Sequence, residues 1–376
     1  MKFEKLGNIA TIKTGKYDVN HSTPDGIYVF YTCAFGQFKS PTYSFEGPAI
    51  ILPGNGANVG EVFFFDGKFE AYQRTYVVQN FKADPNYLYA YFKSQWKNSL
   101  RNKQFGSATN YIRLNNLTDF PIPIPSISDQ LHIANILSKA ESLIAQRKES
   151  IALLDEFLKS TFLEMFGDNT LNNKGWDRIK LMDACSNKND VKCGPFGTQL
   201  SKSEYQTEGV PVWGIPQINS LFKKLPKEFL TAKKAKELSE YSVISYDIVM
   251  SRKGNVGKCS LFPKDFPNGI IHSDVLRIRT DKQIVQPVFL LFQLKYSKHV
   301  EIQIKGVTKG AIMAGINVGL LKHIKINKPP IELQTQFAQI VEKTEALKTQ
   351  YQSSLQELEN LYGSLSQKAF RGELVV

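Results

Sequence analysis

The sequence is poor in cysteine and has no long apolar run. Its four cysteines, Cys33, Cys185, Cys193 and Cys259, are scattered. With no Cys-x-x-Cys pair and no clustered Cys/His set, they read as buried thiols in a reducing compartment, not as disulfides or zinc ligands. The N-terminus, MKFEKLGNIATIK, lacks the apolar core of a signal peptide, and stretches such as VFLLF at Val288–Phe292 fall far short of the roughly 20 residues that span a bilayer. A cytoplasmic protein without a membrane partner is expected. Acidic residues are also scarce: 47 Lys and Arg against 35 Asp and Glu leave a net charge of +12. That balance points to a polyanionic partner. Hydrophobic residues at 42% and charged residues at 22% are those of a folded chain.

Catalytic signatures are missing as well. SRKGNVGKCS, Ser251–Ser260, has the glycines and lysine of a phosphate loop, but only Asn255 and Val256 separate Gly254 from Gly257, and Cys259 stands where a Mg²⁺-binding hydroxyl belongs. NKPPI at Asn327 misses the Asn/Asp-Pro-Pro-aromatic motif of amino-methyltransferases, because a lysine intervenes and isoleucine ends it. Asp25, Asp66 and Lys68 could be stretched into a nuclease-like set. No His/Cys/Asp cluster has metal-ligand spacing, so no metal site is expected.

What is present is repetition. The phosphate-loop look-alike has a twin in PGNGANVGEV, Pro53–Val62. Apolar segments AIILP and DIVMS precede the two loops, and EVFFF and KCSLF follow them. Helical segments then open beside prolines, PNYLYAYFKSQW and QPVFLLFQLKYS, and Gly/Thr-rich connectors FGSATNYI and KGVTKGAI come next. Finally, FPIPIPSISDQLHIANIL matches IKINKPPIELQTQFAQIV, aligning Gln130 with Gln334. The second copy is longer; its insertion is read as containing GVPVWGIPQINSLFKK and the Lys-rich tract at Lys223, Lys224, Lys227, Lys233, Lys234 and Lys236.

After each proline turn a 4-3 apolar alternation predicts a long helix with a coiled-coil seam. The first seam runs through Ile133, Leu137, Ala140, Ile144, Arg147, Ile151, Leu154, Leu158, Thr161 and Met165, and the second through Phe337, Val341, Thr344, Lys348, Tyr351, Leu355, Leu358, Tyr362, Leu365 and Ala369. Phe166-Gly167-Asp168 and Phe370-Arg371-Gly372 mark the stops. A helix of about 37 residues rises about 55 Å. The pattern leaves parallel and antiparallel pairing open; Arg147 and Lys348 would have to snorkel outward or meet a carboxylate.

The order of these features, given twice, resembles the specificity subunit of type I restriction-modification enzymes over nearly the whole chain. The resemblance implies an α+β fold in which two similar globular target-recognition domains are separated by two long helices pairing as an antiparallel coiled coil. The divisions expected are 1–126 and 169–329 for the domains, 127–168 and 330–376 for the helices and tail. It implies a non-catalytic subunit that reads a bipartite asymmetric duplex DNA site. Its partners would be two methyltransferase subunits and the restriction/translocase subunits, with S-adenosylmethionine, ATP and Mg²⁺ in those partners and no cofactor in this chain. Asp129-Gln130 and Leu333-Gln334 depart from the family's common Glu-Gln at the helix entrance.

Base reading needs polar side chains at groove edges and cations on phosphates. Candidates in the first half are Lys16, Asn20 and His21 in GKYDVNHST, Arg74 in AYQRTY, and Thr109 and Asn110 in the connector. In the second half they are Gln199, Ser201 and Lys202 in GPFGTQLSK, Gln217, Asn219, Lys223 and Lys224 in the insertion, and Arg252, Lys253 and Lys258 around the glycine loop. His272 and Ser273, in a strand-like stretch, read as structural. Two other classes stay open from the residues alone: a self-sufficient DNA methyltransferase or nuclease of unusual type, and a coiled-coil interaction protein with incidental basicity.

Overall fold

The structure, a computed structural model, describes residues 2–34, 36, 38–100, 110–167, 172–308 and 315–374. The chain divides into two compact units, Met1–Glu149 with Tyr351–Val376, and Ser150–Gln350.

In the first unit the apolar run Pro48–Pro53 is a central strand. It pairs antiparallel with Thr75–Gln79 and Phe63–Asp66, and Thr11–Thr14 adds to the far edge of Thr75–Gln79. Side chains alternate across a strand, so a strand covered on both faces reads as a continuous apolar run. Accordingly Ile50 and Leu52 enter one core with Tyr87, Phe92 and Trp96, while Ala49 and Ile51 enter another with Phe45 and Phe69. A second sheet orders Phe38–Ser40, Tyr28–Tyr31 and Phe69–Ala71, the last two parallel.

The second unit repeats this plan. Val191–Cys193, Val275–Ile278, Ile248–Ser251 and Cys259–Leu261 form the four-stranded sheet, and Val210–Trp213 lies parallel to Gly269–Ile271 in the other. Ile248 and Met250 again face one core and Val249 the other. The strand Val210–Trp213 is therefore the counterpart of Tyr28–Tyr31, and the expectation that all of GVPVWGIPQINSLFKK is inserted needs correcting. The added elements are the helices Ile215–Asn219 and Ala232–Glu237, whereas the edge strand Ser242–Val243, antiparallel to Gly269–Ile271, answers to Phe45 bridging Phe69 in the first unit. A buried Arg277 braces that edge strand, donating to the carbonyls of Ser242 at 2.6 Å and Asn189 at 2.7 Å.

Two long helices run Ile127–Phe166 and Ile331–Arg371. Within the first unit, Tyr362 donates to Glu141 at 2.6 Å and Lys148 pairs with Glu359 at 2.8 Å, so numbers rise along one helix as they fall along the other. Within the second unit Lys348 meets Asp155, and Phe162 and Phe166 meet Phe337 at 5.5 Å. The pairing is antiparallel in each. Ile133, Leu137, Leu158, Phe337 and Val341 are buried in the lobe cores, whereas Ile144, Ile151, Leu154, Tyr351, Leu355, Leu358 and Leu365 are half-buried. Both seam cations are accommodated as their chemistry requires: Lys348 finds a carboxylate, and the Arg147 guanidinium lies 4.3 Å over the Tyr351 ring.

Each helix begins on a glutamine clasp. Gln130 accepts from the Asp84 N–H at 2.8 Å and donates to the Pro125 carbonyl at 2.9 Å. Gln334 accepts from the Gln286 N–H at 2.9 Å and donates to the Pro329 carbonyl at 2.8 Å. These bonds tie the proline turn to the start of the short helices Pro85–Ser99 and Pro287–Tyr296. The first side adds a Ser126–Asp129 cap, for which Pro330 and Leu333 are no substitute.

The cysteines are free, and burial pushes the Cys259 thiol up to about 11 and that of Cys185 up to about 12. Thiols so raised are unreactive at neutral pH. Among the described residues no helix is long and apolar enough to cross a membrane.

Gln334→Leu keeps the size of the clasp but strips partners from the Gln286 N–H and the Pro329 carbonyl. Urea unfolding is expected to show a loss of about 1–3 kcal/mol for each group left unpaired in the core; an unchanged midpoint would contradict the clasp.

Candidate nucleic-acid interface

In the first unit, three segments converge on the turn that follows Phe69–Ala71. An added Cβ on Gly15 would lie 1.6 Å from the Ala71 carbonyl oxygen, so only glycine lets the two backbones approach this closely. This seats Tyr17 against the turn: the Gln73 N–H donates to the Tyr17 carbonyl at 2.9 Å, and Gln73 Nε2 donates to Asp18 at 3.3 Å. The Gly54 N–H donates to the Arg74 carbonyl at 2.9 Å, and the Ile112 N–H to the Gly54 carbonyl at 3.0 Å. The Gly56 N–H donates to the Asn110 carbonyl at 2.8 Å. Lys16, Asn20, Arg74 and Asn110 are thereby gathered on one exposed loop cluster. His21 stacks on Tyr17 at 3.8 Å with Nε2 3.0 Å from the Thr42 hydroxyl, so its ring is held in place. Thr109 lies outside the described residues.

The second unit builds the same cluster with other side chains. A Cβ on Gly194 would sit 2.2 Å from the Ile271 carbonyl oxygen. The Arg252 N–H donates to the Asp274 carbonyl at 2.8 Å, and the Ile316 N–H to the Arg252 carbonyl at 3.1 Å. Arg252 Nε also donates to the Ile316 carbonyl at 3.2 Å, with the guanidinium 5.3 Å over the Phe196 ring, so it is a bracing group as much as a free cation. Lys253 pairs with Asp274 at 2.9 Å. Lys258 donates to the Asn219 carbonyl at 2.9 Å.

Gln199 accepts from the Tyr241 hydroxyl at 3.0 Å, and the Ser201 hydroxyl lies 2.7 Å from that of Ser203. Lys202, Lys223 and Lys224 are exposed. Gln217 is buried, with Oε1 accepting from the Gly214 N–H at 3.0 Å and Nε2 donating to the Leu225 carbonyl at 3.0 Å. Its amide is occupied within the fold. Beside it lies an open groove of about 880 Å³, lined by Gly214, Lys224, Leu225, Lys227, His272 and Asp274 among others. A bond between Lys234 and Glu204 holds that carboxyl below its usual range.

Tyr72–Arg74 and His272–Asp274 are equivalent turns, although their residues do not match and only Arg74 is expected at the interface from sequence. His272 and Ser273 lie on the turn after Gly269–Ile271, not within a strand. The signal was available in the alignment of the flanking strands, Phe69–Ala71 and Thr75–Gln79 with Gly269–Ile271 and Val275–Ile278. The long helices also carry exposed apolar side chains: Leu143 in the first unit is 51% exposed, and Leu153 and Phe157 in the second are 60% and 49% exposed. Among the described residues no group of three or more His, Cys, Asp and Glu could hold a metal ion.

Fold and loops together define a twice-repeated α+β frame that presents a polar, cationic loop cluster at the same place in each copy. The family of the type I restriction modification DNA specificity domain matches residues 1–154 and 173–360, and the chain belongs to it. The Escherichia coli type I restriction enzyme EcoDI specificity subunit is 35% identical over 155 residues, 41% of this chain and 34% of that protein. The Methanocaldococcus jannaschii enzyme MjaVIII specificity subunit is 24% identical over 311 residues, 77% of this chain and 70% of its own. Among solved structures, the S subunit of a type I restriction-modification system from M. genitalium superposes with a TM-score of 0.63 at 18% identity, covering 98% of this chain and 96% of that one.

The placements separate two kinds of residue, those held within the fold and those free to meet a phosphate. Lys223→Ala with Lys224→Ala is expected to weaken duplex binding evenly across sequences and to flatten the log K against log salt slope by about 0.9 for each phosphate no longer neutralised. Filter-binding at several salt concentrations reads this; an unchanged slope would remove these lysines from the interface.

Proposed function

We propose that this chain is the DNA sequence-specificity subunit of a type I restriction-modification complex. Each unit reads one half of a bipartite, asymmetric duplex site, and the long helices carry two methyltransferase subunits, to which restriction/translocase subunits add. The observation that carries the reading is the pairing of one backbone framework, repeated down to individual hydrogen bonds, with unlike side chains on its loops. Two copies of one reader with different letters recognise two different half-sequences.

The net charge of +12 suits a duplex partner, since cations on the loops displace condensed counterions. Exposed Leu143, Leu153 and Phe157 suit helix faces that a protein partner covers. Chemistry falls to the partners: S-adenosylmethionine, ATP and Mg²⁺ bind there, this chain is non-catalytic, and the complex works in the cytoplasm. Family membership and the specificity subunits among the relatives support the same assignment.

The two helices then act as the ruler for the gap between half-sites. Ser160 is a poor place to lengthen them, because Leu158 and Phe162 on either side are buried in the second unit. Seven residues added in heptad register to both helices, between Arg147 and Leu154 and between Lys348 and Leu355, lengthen each by about 10 Å. Methylated-motif sequencing of cells carrying this variant with its methyltransferase is expected to show a gap wider by about three base pairs and unaltered half-sequences. Altered half-sequences with an unchanged gap would refute the ruler.

A further inference from the structure

We propose that the three-residue turn after the parallel strand is the base-reading element of each half: Tyr72–Gln73–Arg74 in the first and His272–Ser273–Asp274 in the second. Its last residue makes the halves read opposite hydrogen-bond patterns. This rests on the chain being a DNA specificity subunit.

The argument starts from the backbone. Gly15 against Ala71 and Gly194 against Ile271 are the same close approach. Gly54 N–H to the Arg74 carbonyl and Arg252 N–H to the Asp274 carbonyl are the same bond, as are Ile112 N–H to Gly54 and Ile316 N–H to Arg252. Isolated bridges Asn55–Tyr111 and Lys253–Gly315 complete the match. Each turn is thus clamped from the glycine-loop side, and in the first half from the Tyr17 side too. A reader needs this rigidity, because a base-edge contact discriminates only if its donor cannot shift to suit another base.

The side chains on this shared mount are inverted in charge. Arg74 is exposed and has no side-chain partner among the described residues. Asn55, next to the Gly54 that bonds the Arg74 carbonyl, has a buried Oδ1 without a partner among the described residues. A free guanidinium on a fixed turn suits bidentate donation to guanine O6 and N7 in the major groove. At the equivalent place Asp274 offers a carboxylate, half-neutralised by Lys253 at 2.9 Å, and its N–H donates to His272 Nδ1 at 3.2 Å. A carboxylate accepts from the exocyclic amino group of cytosine or adenine and repels a carbonyl edge. Lys16, exposed beside the Gly15 that packs on Ala71, suits a phosphate instead.

The test uses the complex of this chain with its methyltransferase and a panel of duplexes, each carrying one base-pair change in the site found by methylation sequencing. The wild-type complex is expected to prefer one G·C pair in one half-site by about 5- to 150-fold. In the Arg74→Ala complex that preference vanishes at that pair alone, with thermal stability kept because the side chain is exposed. Asp274→Asn shifts preference at one pair of the other half-site. An unchanged profile, an even loss across all positions, or a change in both half-sites from one substitution overturns the proposal. A wild-type complex that discriminates among no duplexes instead defeats the specificity-subunit reading on which it rests.

Discussion

The last turn of each long helix is buried in a lobe core, and the rest of the structure depends on that burial. In the first unit Phe370 lies 5.0 Å from Tyr91 and 5.9 Å from Tyr87, with Ala369 beside Ile133 and Leu137. In the second, Phe166 lies 4.7 Å from Phe289 and 5.5 Å from Phe337. A fully buried phenylalanine is worth about 1.5–3 kcal/mol relative to exposure. Because these rings come from one helix and their neighbours from the start of the other, each lobe core is completed by chain distant in sequence. The first lobe needs residues beyond Tyr351, and the second needs the end of a helix that began in the first half. Within each unit, the lobe and the helix ends packed on it therefore share one core.

On such a frame, variation is confined to where burial does not decide. The central strands Pro48–Pro53 and Ile248–Ser251 are sandwiched between two cores, and their buried side chains are apolar except for Ser251. The turns and loops around them are held chiefly by backbone hydrogen bonds and by the close approaches at Gly15 and Gly194, which leave the turn side chains free to differ. Arg74 and Asp274 occupy one position with opposite charge, as do Asn55 and Lys253 with unlike polarity. Stability is carried by one set of residues and the exposed loop surface by another, which lets the two copies differ on their loops without refolding.

Much of this is legible in the sequence. The glycine loops, the proline turns and the 4-3 alternation locate the repeat, because glycine, proline and apolar spacing act through local backbone geometry. The Gln130–Gln334 alignment marks a contact that the structure makes twice. Other features are not local. The parallel pairing of Val210–Trp213 with Gly269–Ile271 joins segments far apart in the chain, so the strand looks like part of an insertion. Gln217 looks like a reader by residue type, yet it spans Gly214 and Leu225 within its own lobe. More than half of the predicted seam is only half-buried, since apolar spacing cannot tell a dry interface from a groove. The turns at Tyr72–Arg74 and His272–Asp274 share no residue, so their equivalence shows only through the strands that flank them and the hydrogen bonds around them.

The central claim is that one framework, used twice, reads two unlike half-sequences on one duplex. Single-molecule methylation sequencing of DNA from cells expressing this chain together with a type I methyltransferase tests it most directly. The account predicts methylation, dependent on this chain, at an interrupted motif whose two parts differ in sequence. An uninterrupted motif, two identical parts, or the same methylation in cells lacking the chain would contradict it.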